Sequence, residues 1–150
     1  MIGVGTRQGD DAAGLAVADL LSRQPLPAGV SVALCERPGA DLIDEMEGTD
    51  AVVIVDGTRS GRSPGTVRRV RPEEIAAGSA LSTHAMGVRE ALGLAEALGR
   101  RPARVEIVGI EAGDAREGEL SAAVRASLPL AVASVRAAID EITSGTPRLP

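Results

Sequence analysis

Apolar positions along the 150-residue chain follow two alternating periods. Short runs with strand-like spacing are separated by stretches in which apolar residues recur every three or four positions. Ile2–Val4 is the stub of a first strand, short enough that its start is expected to lie upstream or to be covered by a partner strand. Asp11–Ser22 then reads as a helix, with Leu15, Ala18 and Leu21 on one face. Pro25 and Pro27 mark the loop after it, Val30–Glu36 alternates as a strand should, and Pro38-Gly39 breaks that alternation. Ala40–Met46 has the spacing of a short helix. The unbroken apolar run Ala51–Val55 is the signature of a central strand buried on both faces.

Arg59–Gly65 is turn-rich, Thr66–Val70 has strand character, and Pro72–Ala77 forms a short helix. Met86–Leu98 is a strong helical pattern, with Val88, Leu92, Ala95 and Leu98 in register. Val105–Ile110 is a second buried strand. Ser121–Ile142 is helical, with a break or kink expected at Pro129, and the tail over residues 143–150 is expected to fray. Strand–helix alternation without an internal repeat or linker predicts one domain over residues 1–150. Its class is α/β, with three layers: a mostly parallel sheet flanked by helices on both faces.

Composition narrows the function. The chain has no aromatic residue, no lysine and no asparagine, and its net charge is −5. Base-stacking platforms are missing and its arginines are interspersed with acids, so nucleic acid is not an expected partner. Without lysine there is no Walker-A loop and no Schiff-base chemistry. A single cysteine, Cys35, cannot close an internal disulfide; it fits a packing role and a reducing, cytoplasmic setting. With no signal peptide and no apolar run near ~18 residues, no membrane partner is expected.

Three side chains share one topological feature. Asp11 follows the first strand at a helix start, Asp56 directly ends the apolar run "AVVIV", and His84, the only histidine, precedes the Met86–Leu98 helix. In open α/β sheets, ligands bind beyond the carboxyl ends of the strands. Two carboxylates and one imidazole converging there suit a divalent transition metal with open coordination positions, not a closed structural zinc site. Each residue also has a plain structural reading. Asp10 is a natural N-cap and Asp11 a favourable first-turn charge. Asp56 is a good opening residue for the turn "DGTRSG", and a lone histidine in a loop is often filler. Ser82 and Thr83 are expected to cap the following helix; a Ser82–His84 nucleophilic pair has no supporting spacing. The turn "GVGTRQGDD" also admits a dinucleotide reading, with Glu36 as the ribose ligand. Its spacing is G-x-G-x-x-x-G, and two adjacent acids stand where a pyrophosphate wants positive potential.

The segments "GVGTRQGDDAAGL", "VVIVDGTRSGRSPGTV", "LSTHAMGVREALGLAEAL" and "VEIVGIEAGDAREGELSAAV", in this order, resemble the hydrogenase maturation proteases. These are the endopeptidases that process the large subunit of nickel–iron hydrogenases. The resemblance covers nearly the whole chain. It implies a twisted, mostly parallel sheet flanked by helices. It further implies that Asp11, Asp56 and His84 form the trio that recognises nickel, with Asp11 and Asp56 also the catalytic candidates. The nickel is carried by the precursor, so no permanently bound cofactor is expected, and the partner is the large-subunit precursor of a nickel–iron hydrogenase. Thr6 stands where the family's glycine-rich motif usually has asparagine. A nucleotide-binding Rossmann-like domain and a non-catalytic metal-binding member of the same fold are the alternative readings.

Overall fold

The structure, a computed structural model, describes residues 1–76 and 85–145. Five strands form one sheet: β1 (Ile2–Val4), β2 (Ala33–Cys35), β3 (Ala51–Thr58), β4 (Val67–Val70) and β5 (Arg104–Glu111). Their spatial order is β2-β1-β3-β5-β4. The first four in that order run parallel, and β4 closes the edge antiparallel to β5. The helices are α1 (Ala13–Ser22), α2 (Ala40–Met46), α3 (Pro72–Ala76), α4 (Ala85–Ala97) and α5 (Ala122–Thr143).

Alternation along the strands divides the core into two layers. Val53, Val55, Val108 and Ile110 pack on α1 and α5, together with Val17, Leu21, Val124 and Val135. Val52, Ile54 and Ile107 face the other way, onto Leu42 and Met46 of α2 and Val88 and Leu92 of α4. The expected three-layer α/β architecture is therefore the one observed. Beside β1, α1 lies unusually close to the sheet because Gly3 and Gly14 face each other. A side chain at Gly14 would collide with the carbonyl oxygens of both Val4 and Val55.

Several local expectations need correction. The alternating stretch Val30–Glu36 pairs only over Ala33–Cys35, because its partner β1 offers only Ile2–Val4. The central strand does not stop at Val55. β5 continues beside it to the pair Thr58↔Glu111, so Asp56 lies inside β3 and not at its end. α5 runs unbroken through Pro129. The proline and Arg125, four residues earlier, both lie on the exposed side, where water can satisfy the carbonyl that the missing N–H abandons. Of the expected frayed tail, Thr143 is the last helical residue and residues 146–150 lie outside the described ones. α5 is also, by length and composition, a helix able to cross a membrane. Here its buried side, Val124, Ala131, Val135 and Ala138, covers the sheet.

An ion-pair cluster fastens the α5 end of that layer to the antiparallel edge. Arg69 of β4 reaches Glu141 of α5 at 2.7 Å and Glu106 of β5 at 3.1 Å. Arg104 approaches the same two carboxylates at 3.1 and 3.5 Å.

Candidate functional site

The carboxyl edge of the sheet has a natural crevice. From β1 the chain crosses through α1 to β2 on one side, then returns through α2 to β3 on the other. The switch point therefore lies between β1 and β3, and crevices of this kind hold ligands in open α/β sheets. Asp56 sits at this point. Pairing between β1 and β3 ends at Gly3↔Val55, so Asp56 is the first residue of β3 past that pairing while still paired with Gly109 of β5. It is only 4% exposed. Strand alternation puts it on the same side as Val52 and Ile54, the α2/α4 side. The Cys35 thiol senses it there: burial foremost, with Asp41, Glu45 and Asp56 adding to it, pushes that thiol's pKa up. Cys35 is thereby held protonated in the core, the packing role its position suggested.

Asp11 comes to the same edge from the neighbouring connection. Residues Gly9–Ala12 form one 3₁₀ turn ahead of α1. The turn is pressed onto the strands at two places: a side chain at Gly5 would strike the Asp11 carbonyl, and one at Gly57 would lie 3.5 Å from that of Asp10. Asp11 Oδ1 is buried without a hydrogen-bond partner among the described residues, and its nearest cation is Arg59 Nη2 at 3.8 Å. The third expected donor, His84, lies outside the described residues, as do Ser82 and Thr83. α4 begins at Ala85, the residue after His84. Near that start, Gly87 abuts Pro38, in the loop that leaves β2 at this edge. Among the described residues, no group of three His, Cys, Asp or Glu side chains is arranged to hold a metal ion.

Asp10 is not the helix cap that its sequence position suggested. No side chain caps the 3₁₀ turn or α1. The Asp10 carboxylate, fully buried, turns away to the β5–α5 connection. There Oδ2 accepts the Gly113 N–H and Oδ1 accepts the Ser121 N–H, both at 2.7 Å. Ser121 is itself the cap of α5, its hydroxyl accepting from the Val124 N–H. The two adjacent acids thus divide their roles: Asp10 builds the edge, and Asp11 lies half-buried beside Arg59.

Two further residues shape the site, and the pattern reading singled out neither. Glu111, at the end of β5, is buried beneath the loop after β3. Its Oε1 accepts the backbone N–H groups of Ser60, Gly61 and Arg62 at 2.7, 2.9 and 3.2 Å. Its Oε2 accepts the hydroxyls of Thr58 and Ser60 at 2.9 and 2.8 Å. Burial alone would raise its pKa, but these hydrogen bonds to the charged form outweigh it and the net shift is downward. Arg59 is the second. It donates from Nη1 to the Gly113 carbonyl at 2.8 Å while its Nη2 stands beside Asp11, so one guanidinium links three connections of the carboxyl edge.

The Glu111 cradle carries a pH prediction. A carboxylate held below its unfolded pKa stabilises the fold fully above that value (~4.3), and loses the contribution as pH falls through the lower folded value. Glu111→Gln should cost about 2 kcal/mol at pH 7, since an amide would point donors at N–H groups that need an acceptor. Thermal melts should show the gap between parent and variant narrowing below pH ~4. A gap that stays constant from pH 7 to 3 would mean that Glu111 is not held as a carboxylate.

The glycine-rich turn is not arranged for a dinucleotide. Glu36, the expected ribose ligand, is paired at the surface with Arg7 at 2.7 Å. Asp10 and Asp11 occupy the first turn, where a pyrophosphate would need positive potential.

Comparison with known proteins bears on the family and the fold. Residues 37–138 match the family model HycI, hydrogenase maturation protease. The hydrogenase expression/formation protein HupM of Azotobacter chroococcum is 28% identical over 138 residues, covering 88% of this chain and 66% of that protein. HoxM of Azotobacter vinelandii is 27% identical, covering 79% of this chain and 60% of that protein. The chain thus spans slightly under two thirds of the length of these curated relatives. Among solved structures, the hydrogenase maturating endopeptidase HybD from E. coli superposes with a TM-score of 0.79 at 28% identity, over 93% of this chain and 90% of that one. The [NiFe] hydrogenase maturation protease HybD from Thermococcus kodakarensis gives 0.76 at 28% identity, over 92% and 96%. The likeness extends from the family pattern to the whole fold, with the acids at the carboxyl edge where such folds place their sites: the chain belongs to the hydrogenase maturation protease family.

Proposed function

We propose that the chain is an endopeptidase that removes the C-terminal extension of a nickel-loaded hydrogenase large-subunit precursor. In this reading it recognises the precursor's nickel through Asp11, Asp56 and His84. The observation that carries the reading is the position of Asp56. It is an almost fully buried acid at the switch point between β1 and β3, and Asp11 arrives at the same edge from the next connection. A divalent ion reaching this edge would meet carboxylate oxygens from two neighbouring connections, donors of the kind such ions accept.

The nickel belongs to the substrate. Two hard carboxylates and one imidazole leave room for the ligands it brings from the precursor. The cleavage we propose is hydrolytic. A carboxylate of the pair takes a proton from water, whose oxygen adds to the scissile carbonyl carbon. The C–N bond then breaks, and the proton passes to the leaving amine. Membership of the family and the likeness to the two HybD structures support this class of activity for the chain. We place the reaction in the cytoplasm, where the single cysteine stays reduced.

The test is a processing assay in which the purified chain meets the precursor with and without nickel. Cleavage of the loaded precursor alone is the expected result. Equal cleavage of both forms would remove nickel from recognition, and no cleavage of either by a folded chain would favour a binding protein of the same fold. In the same assay His84→Ala should lower cleavage by orders of magnitude while shifting stability by under ~1 kcal/mol, the size expected for a residue whose sequence neighbours, Ser82 and Thr83, form no apolar stripe. A variant that melts with the parent and cleaves at the parent rate would take His84 out of the site.

A further inference from the structure

Arg59 is the cation that the proposed site does not use. It is about one quarter exposed, as is Asp11. Its guanidinium is fixed in place: Nη1 is bonded to the Gly113 carbonyl, itself steadied by the Gly113 N–H bond to Asp10. That anchoring leaves Nη2 at 3.8 Å from Asp11 Oδ1, a buried oxygen with no hydrogen bond of its own among the described residues. At that separation the contact is electrostatic and not a bidentate bridge. Arg59 Nε is likewise buried without a hydrogen-bond partner among the described residues. A guanidinium held this way, with a donor left over, is poorly explained as a stability device: the pair is loose and partly solvated.

We propose that Arg59 sets the selectivity of the site for metal that arrives inside a precursor over free divalent ions. The inference rests on the nickel reading above. With Arg59 in place, its charge cancels much of Asp11's attraction for a bare cation and repels any cation bound there. A free ion offers nothing to offset that repulsion. Nickel in a precursor does, because the polypeptide supplies its own ligands to the metal and its own contacts to the enzyme. Arg59 is thus a specificity-determining residue acting through Asp11, and not a catalytic one.

The experiment is titration calorimetry of free Ni²⁺ into the full chain, its Arg59→Gln, Arg59→Leu and Arg59→Lys variants, and Asp11→Asn, each checked by circular dichroism. Both uncharged variants should bind Ni²⁺ about tenfold more tightly than the parent, equivalent to ~1.4 kcal/mol. Arg59→Lys, which keeps the charge but cannot bridge Gly113 and Asp11 together, should stay within about twofold of the parent. Free Ni²⁺ should correspondingly inhibit precursor processing at lower concentrations in the uncharged variants. Arg59→Gln retains a donor for the Gly113 carbonyl, so it serves if Arg59→Leu does not fold. If Arg59 merely anchored the loop, Arg59→Lys would behave like Arg59→Leu, and Ni²⁺ affinity would fall or stay level in both. That result overturns the proposal. Asp11→Asn separates the two levels. If it weakens Ni²⁺ binding but the uncharged Arg59 variants bind no more tightly, the Arg59 inference alone fails. If it leaves Ni²⁺ binding and processing at parent level, the nickel reading of Asp11 fails and takes this inference with it.

Discussion

Asp56→Asn should abolish measurable processing of nickel-loaded precursor, with a fall of about 10³-fold or more, while leaving a folded protein. The size follows from two losses at one atom. An amide is a far poorer ligand for a divalent ion than a carboxylate, and it cannot take a proton from water, a function worth ~10²–10⁴ on its own. The fold should survive because asparagine has the shape of aspartate. Asp56 is almost fully buried and pairs with Gly109 within the β3–β5 ladder, so a change that keeps the side chain's shape disturbs its surroundings least. Melts and processing rates measured on the same preparation separate the two effects. A variant that melts within a few degrees of the parent and cleaves within tenfold of its rate would take Asp56 out of the chemistry.

The residues that pattern reading found, and those it missed, differ in the range of their partners. Periodicity is local, so β3, α2, α4 and the division of the core into two layers were legible from the apolar spacing. The position of Asp56 was legible for the same reason, since it follows an apolar run. Its inclusion inside the strand was not. The length of β3 depends on the pairing Thr58↔Glu111 with a strand some fifty residues away. The truncation of β2 likewise depends on how much β1 offers it.

Charged residues with distant partners were the least legible. Asp10 reads as a helix cap because capping is the local use of an acid before a helix. Its partners are Gly113 and Ser121, 103 and 111 residues on. Glu111 gave one usable signal, an acid closing the apolar run "VEIVGIE", where a bare charge needs a reason. Arg59 gave none: an arginine in a Gly/Ser-rich turn looks like solvated surface until the fold brings Asp11 and Gly113 to it.

Asp10→Ala should be the most destabilising single change at the carboxyl edge, costing about 3–5 kcal/mol and lowering the melting temperature by roughly 10–15 °C. The carboxylate is fully buried and accepts two short backbone hydrogen bonds, from Gly113 and Ser121. Each is charge-assisted, of a kind worth ~1.5–3 kcal/mol. Alanine strands the Gly113 N–H in a buried place and the Ser121 N–H in a half-buried one, so the penalty includes stranded donors and not only two lost contacts. Asp10→Asn should fall between, at about 2 kcal/mol, because its one oxygen can serve one N–H while its NH₂ confronts the other. The damage should also reach function. The Gly113 segment that Asp10 holds is the one on which Arg59 is anchored, so even where the Ala variant is folded, its processing should be impaired. Chemical denaturation at 25 °C gives the free-energy difference directly, because a domain of this size unfolds with a total stability of only ~5–15 kcal/mol. An Asp10→Ala protein within 1 kcal/mol of the parent would mean that the β5–α5 connection finds other partners for these two N–H groups, and that Asp10 is not what ties it to the 3₁₀ turn.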